Sequence, residues 1–328
     1  MPELVGREVG SRGYGLMNFT WRKDPIPHEQ AFEAMRAAIN SNMTFWNGGE
    51  FYGTPEVNSM TLLAAYFEKY PEDADKVVLS IKGGLRPGLQ PDGSPEYIRH
   101  SLDSTLGQLK DRKKLDMFEC ARRDPKVPLE TTFGVIEKEY VQTGKLGGIC
   151  LSEVSAATIH EAVKITKIVG VEVELSLFST EVLTNGVAEA CVKYGIPLIA
   201  YSPLGRGLLT GQIKRIDDLP ESDIRRHMPR FQPGNFEINL QLVKQVEEMA
   251  TKRSCTPAQL ALGWVTSLQR RPGMPTIIPI PGGTTAAKVY ENAKQIDLTD
   301  EEMDALDVTL AKFVVAGGRY PDGAPVDT

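Results

Sequence analysis

The sequence predicts a single (β/α)8 barrel, a TIM barrel spanning residues 1–328, with a long loop after its seventh strand and a C-terminal extension. Three observations carry this expectation. Short β-branched or apolar runs alternate with amphipathic stretches almost from end to end, as in βα units on a parallel sheet. Eight such runs are present, each followed by a helical stretch, and eight βα units close into a barrel. No Pro/Ser-rich linker or low-complexity segment divides the chain, so one domain is expected.

Strands are expected near 14–17, 44–47, 77–82, 115–120, 148–151, 171–175, 198–201 and 276–279. Helices are expected over 28–42, 59–69, 96–109, 129–143, 156–165, 182–194, 240–253 with 257–268, and 285–295. Their apolar residues recur at three and four, as at Ile98, Leu102, Leu106 and Leu109. Two segments exceed an ideal barrel. The run 205–235, rich in Gly, Pro, Arg and Asp, reads as a functional loop or cofactor cover. After Thr299, the sequence Thr-Asp-Glu-Glu caps a short helix before a Gly/Pro-rich tail that either closes over the barrel mouth or frays.

With 41% hydrophobic residues, 328 residues can bury a large core. The net charge of −6 argues against a nucleic-acid or anionic-membrane surface as the main partner, while leaving room for local cations under a polyanionic cofactor. Cys120, Cys150, Cys191 and Cys255 form no C-x-x-C pair and have no histidines at ligand spacing, so free thiols and no metal are expected. No targeting or membrane-spanning segment is evident, and a cytoplasmic, or cytoplasmic and nuclear, location is the default.

Several motifs concentrate chemistry at strand ends. Gly13-Tyr14-Gly15 lacks the third glycine and the following helix of a dinucleotide fingerprint, and reads instead as a tight first strand. Phe45-Trp46-Asn47-Gly48-Gly49-Glu50-Phe51-Tyr52-Gly53 ends the second strand, placing Tyr52 in the loop at the face where such barrels carry their sites. Lys82 closes the apolar strand Val77-Val78-Leu79-Ser80-Ile81, where it points into the barrel mouth beside that loop. An ammonium beside a phenol lowers the phenol's pKa from about 10 and eases proton donation.

These motifs resemble the catalytic signature of the aldo-keto reductases, in which an aspartate, a tyrosine five residues later, a lysine and a histidine surround a carbonyl substrate. The resemblance implies Tyr52 as general acid and Lys82 as its tuner, with Asn47 standing where the family has aspartate and Ala121 where it has histidine. Replacing an anion by Asn47 is expected to leave the Lys82 field on Tyr52 less compensated, favouring the phenolate.

The resemblance continues along the chain and implies NADPH as cofactor. Ser152 and Glu153, in Gly148-Ile149-Cys150-Leu151-Ser152-Glu153, are expected to hold the nicotinamide carboxamide. Glu172 falls where the family usually places a glutamine for the same amide; a carboxylate accepts but cannot donate. Tyr201 is expected to stack on the nicotinamide, and Ser202, Pro203, Leu204, Gly205 and Arg206 open the pyrophosphate cover. Gly283, Thr284, Lys288, Glu291 and Asn292 match the segment that binds the adenosine end, with Lys288 reaching a 2′-phosphate from the start of a helix.

For the substrate, Trp21, Phe51 and Phe231 are expected to supply aromatic walls. Arg122 or Arg123 either donates to the substrate oxygen or forms an ion pair with Asp124. Trp-Asn-x-Gly-Glu-Phe-Tyr-Gly together with Phe-Glu-Cys-Ala-Arg looks like the fungal pyridoxal reductase branch, which implies reduction of a small-molecule aldehyde, pyridoxal. A broad aldehyde and ketone reductase, or a barrel that binds NADPH without turnover as an accessory subunit, are the alternatives.

Overall fold

The computed structural model describes residues 1–324 and 326. Eight parallel strands form its sheet: β1 (Tyr14–Gly15), β2 (Phe45–Gly49), β3 (Val78–Gly83), β4 (Leu115–Cys120), β5 (Leu146–Ser152), β6 (Ile168–Glu174), β7 (Leu198–Tyr201) and β8 (Ile277–Pro279). Each pairs with its chain neighbour in order. The ends meet where Gly13 N–H donates to Pro279 O at 2.9 Å, Gly15 N–H donates to Pro281 O at 3.1 Å, and Gly15 bridges Gly282. The expected barrel is therefore the observed one.

The two glycines of the first strand serve this closure. A Cβ at Gly13 would stand 2.7 Å from the Phe45 ring and its carbonyl oxygen, and one at Gly15 would stand 2.9 Å from Ile280 O. Close backbone approach accounts for the Gly-Tyr-Gly run.

Helices cover the outside. They are α1 (His28–Asn40), α2 (Ser59–Lys69), α3 (Pro95–Leu109), α4 (Leu129–Ile136, running on as a π turn over Glu137–Val141), α5 (Ala156–Ala162), α6 (Val187–Tyr194), α7 (Asn235–Lys252), α8 (Pro257–Ser267), α9 (Ala286–Ala293) and α10 (Asp300–Lys312). Local chemistry sets their starts: Asn58 accepts from the Met60 and Thr61 amides, and Ser94 accepts from the Tyr97 amide with Pro95 at the first position. The Thr299 capping box is present, opening a thirteen-residue helix and not a short one.

Boundaries differ from expectation where a turn residue intervenes. The first strand stops at Gly15, because Leu16 N–H turns to Asn47 O and Met17–Thr20 coils into a helical turn. The helix expected over 182–194 is cut by Gly186 at φ +91°, leaving a 3-10 turn over Glu181–Leu183 before α6. The helix α7 starts five residues before the expected 240, where Glu237 reaches back to the Gly234 amide at 2.6 Å.

Register decides what fills the barrel. Its lower interior is apolar, built from Phe45, Val78, Met117, Cys150, Ile199, Ile278 and Ile280, and closed from below by Leu4 and Val9 of an N-terminal hairpin. Two residues further along β2 to β5 the lining turns polar at Asn47, Ser80, Glu119 and Ser152, and Lys82, Glu172 and Glu174 join this layer, all of them buried. Lys82 lies level with Glu119 across β3 and β4, and Asn47 level with Ser80. No helix among the described residues is long and apolar enough to cross a membrane.

Gly13→Ala should destabilise the fold by about 1–3 kcal/mol, because the seam cannot widen without shifting Phe45 or Ile280. Urea unfolding checks this; an unchanged midpoint would show that the seam is not close-packed.

Candidate active site

Four strands aim charged or amide side chains at one point. Lys82 Nζ donates to Asn47 Oδ1 at 2.9 Å, to Glu119 Oε1 at 3.2 Å, and to Glu172 Oε1. Asn47 Nδ2 in turn donates to Glu119 Oε1 at 3.0 Å and to Glu172 Oε2 at 2.6 Å. Ser80 Oγ donates to Glu119 Oε1 at 3.3 Å. Cys150 stands below this group, its thiol pushed well up by burial, with Glu119 and Glu172 adding to the effect.

The charge balance is the reverse of the expected one. Lys82 is not undercompensated: burial alone would lower its pKa, but Glu119 and Glu172 outweigh burial and hold it above its ordinary value. Two carboxylates and one ammonium share a dry interior, where each charge depends on its partners. Burial and Glu119 accordingly raise Glu172 above the usual carboxylate range, although Lys82 pulls it down.

Tyr52 stands over this cluster, 7% exposed. Burial pushes its phenol up to about 12; Lys82 lowers it, while Glu172 and Glu119 raise it. The expected bias toward phenolate is thus corrected: the phenol stays protonated across neutral pH and can act as an acid. Its ring is stacked on Trp21, centroids 5.1 Å apart, with Phe51 edge-on to both. Trp21 is 37% exposed and forms an aromatic rim with Phe51.

Phe231 is not part of that rim. It is buried in the core and stacked on Phe236. Arg123 is also turned away, its guanidinium paired with Glu161 at 2.9 Å and Thr158 at 2.8 Å on α5. Asp124 is no ion-pair partner for it, since Asp124 instead accepts from the Gly93 and Lys126 amides. Arg122 stays at the mouth, donating to Ala121 O and lying 5.5 Å over the Tyr320 ring.

Of the residues expected around the nicotinamide, Glu172 belongs to the cluster on Lys82, and Tyr201 and Glu153 form a second one. Tyr201 O–H donates to Glu153 Oε1 at 2.8 Å, and Glu153 has φ +52°, turning it back over the sheet. Glu174, one strand position past the expected set, pairs with Arg206 at 3.1 Å and with Arg230 at 3.6 Å. The C-terminal tail docks here: Arg319 donates to both Glu153 oxygens at 3.1 Å, and the Tyr320 hydroxyl meets that of Tyr201 at 2.8 Å. Asn239 holds the tail's Ala316 through both backbone groups. Of the two possibilities open for the tail, it closes over the mouth.

These residues fit a nicotinamide cofactor. The buried Ser152 hydroxyl has no hydrogen-bond partner among the described residues, as a group awaiting a carboxamide would. Ser202 (φ +49°), Gly205 (+56°), Arg206 (+56°) and Gly207 (+97°) turn the backbone sharply around Pro203 and Leu204, a bend suited to wrapping a pyrophosphate. Lys288 is exposed in the first turn of α9, whose cap is Thr285. Gly283 and Thr284 use their carbonyls on Tyr14 and Gln30, and Asn292 donates to Gly282 O at 3.0 Å, so these shape the loop. Glu291 is half-buried, its carbonyl held by Gln259.

Glu119, Glu174, Arg230, Arg319 and Tyr320 were not among the residues singled out from sequence. Glu119 and Glu174 carried a signal, as carboxylates within strands that are mostly apolar.

Comparison with known proteins agrees with this fold. The sequence pattern of the aldo/keto reductase family matches residues 13–311. The chain is 41% identical over 328 residues to "Probable pyridoxal reductase 2" of Schizosaccharomyces pombe, covering 98% of this chain and 97% of that one. Among solved structures, it is similar in fold to a glycerol dehydrogenase from Gluconobacter oxydans, with TM-score 0.81, 22% identity and 94% of each chain covered. A thermostable aldo-keto reductase solved with the inhibitor epalrestat gives TM-score 0.71 at 23% identity, covering 94% of this chain and 98% of that one.

Ultraviolet difference titration of the protein against its Tyr52→Phe variant should place the Tyr52 phenol near pH 12. Glu119→Gln removes an anion that raises this pKa, so the titration should move to lower pH. A phenol already ionised at neutral pH would contradict the charge balance.

Proposed function

The chain belongs to the aldo/keto reductase family, and from that premise we propose that it reduces pyridoxal to pyridoxine with NADPH, Tyr52 being the general acid. The observation that carries the reading is the buried Tyr52 over Lys82 at the barrel mouth, framed by Trp21 and Phe51. The similarity to the Schizosaccharomyces pombe relative over 98% of the chain supports pyridoxal as the aldehyde.

NADPH, when bound, supplies the hydride that adds to the aldehyde carbon. As negative charge grows on the carbonyl oxygen, Tyr52 O–H gives it a proton, and the phenolate left behind is stabilised by the Lys82 ammonium. A phenol that stays protonated to about pH 12 suits reduction, since the donor form is fully populated at neutral pH. The oxidative direction needs the phenolate and is disfavoured there. Ser152 would hold the carboxamide, Tyr201 would back the ring, and the turn after β7 with Arg206 would cover the pyrophosphate. Trp21 and Phe51 present the flat faces that an aromatic aldehyde stacks against. Ala121 offers no donor to the carbonyl, and Arg122 is the cation at the mouth of β4 that stands nearest in sequence to that role.

Tyr52→Phe should lower kcat by roughly a hundredfold to ten-thousandfold, with NADPH affinity retained by fluorescence titration. A panel of aldehydes, followed by NADPH consumption, should give pyridoxal a kcat/KM at least about tenfold above a simple aryl aldehyde. Equal values would leave a broad aldehyde reductase, and no turnover of any aldehyde would remove the reading.

Lys288→Ala should weaken NADPH by about tenfold or more while leaving NADH nearly unchanged, the loss expected for one charge-assisted contact to a 2′-phosphate. Parallel losses for both cofactors would show that Lys288 does not read that phosphate.

A further inference from the structure

Asn47 on β2 and Glu172 on β6 face each other across the barrel, joined by the 2.6 Å bond from Asn47 Nδ2 to Glu172 Oε2. Lys82 Nζ touches both, the amide through Oδ1 and the carboxylate through Oε1. An amide has one donor end and one acceptor end, so Asn47 cannot accept from Lys82 and donate to Glu172 in any other orientation. The three side chains therefore form a closed ring of hydrogen bonds with fixed polarity. Ser80, Glu119 and Cys150 flank it from β3, β4 and β5, and Tyr52 covers it from the β2–α2 loop.

We propose that the carboxylate which holds Lys82 has moved from β2 to β6, Asn47 and Glu172 being an exchanged amide and carboxylate pair in which Glu172 is the positioning residue for Lys82. Relative to the aspartate and glutamine that the resemblance places at these two positions, the charge is the same and its strand is different. Both oxygens of Glu172 are engaged, one by Lys82 and one by Asn47, so its carboxylate is built into the acid's support. Glu119 alone does not replace it. Its Oε1 is shared among Lys82, Asn47 and Ser80, and its Oε2 has no partner among the described residues.

The exchange predicts a pattern of rescue. Glu172→Gln removes the anchor and puts an amide opposite Asn47; kcat should fall by about tenfold through misplacement of Lys82, with NADPH affinity kept. Asn47→Asp alone adds a third carboxylate beside Lys82 and should also lower kcat. Asn47→Asp combined with Glu172→Gln restores one carboxylate and one amide on exchanged strands, and kcat should return to within about threefold of the parent, far from the product of the two single losses. A merely structural role for either side chain gives losses that multiply.

This inference rests on Tyr52 being the acid, so a readout without substrate accompanies it. The Tyr52 titration should move to lower pH in Glu172→Gln, which removes an anion facing the phenol, and move back up in the double variant. If no aldehyde turns over but the titration follows this order, the proposed substrate fails and the exchange stands. If the titration in the double variant matches that of Glu172→Gln, or the kcat losses multiply, the exchange is overturned. Should Asn47→Asp alone fail to fold by circular dichroism, the comparison of Glu172→Gln with the double variant still decides.

Discussion

One ammonium group inside the barrel, held by Glu119 and Glu172, is the constraint around which this site is organised. A lysine 6% exposed cannot stay charged without partners, and a buried ion pair that loses one member typically costs about 3–5 kcal/mol. Lys82 therefore fixes which residues may line the upper barrel. Those residues in turn fix Tyr52, whose phenol feels burial first, then the ammonium, then the two carboxylates. The result is an acid that remains protonated far above neutral pH.

Barrel geometry makes this possible at low conformational cost. Inward residues from neighbouring strands lie level, so Lys82 meets Glu119 directly across the β3–β4 pair. Below them the interior is sealed by apolar side chains and the N-terminal hairpin, which keeps water out from that side. Above them the docked tail brings Arg319 and Tyr320 onto Glu153 and Tyr201. The charged layer is thus enclosed between an apolar floor and a polar lid, a setting in which electrostatic contacts act at low effective dielectric.

Much of the fold was legible in the chain. Apolar runs of four to six residues separated by amphipathic stretches name a parallel α/β barrel because both faces of every strand are buried. The misplaced boundaries sit at Leu16, Gly186 and Gly234, where local turn chemistry overrides periodicity. The site was legible where a local motif marks a strand end. Asn47, Tyr52 and Lys82 were recognisable from strand-end position, but their charge environment was not. Glu119 lies 37 residues from Lys82 and Glu172 lies 90 away, and only closure of the barrel brings them together. Counting the missing aspartate at Asn47 without them reversed the sign of the effect on Tyr52. Arg123 looked available because its partner Glu161 lies 38 residues on, and Phe231 because its burial is set by packing that the sequence pattern does not show.

The account turns on the protonation state of Tyr52 during the reaction. The direct measurement is the single-turnover rate at which pyridoxal oxidises bound NADPH, followed from about pH 6 to about pH 10, where a general acid reveals its pKa as a break in the profile. With the phenol held near 12, no fall in rate from loss of the acid should occur across that range. A rate that falls with a break at or below neutral pH would contradict it, because it would mean that Lys82 outweighs the two glutamates.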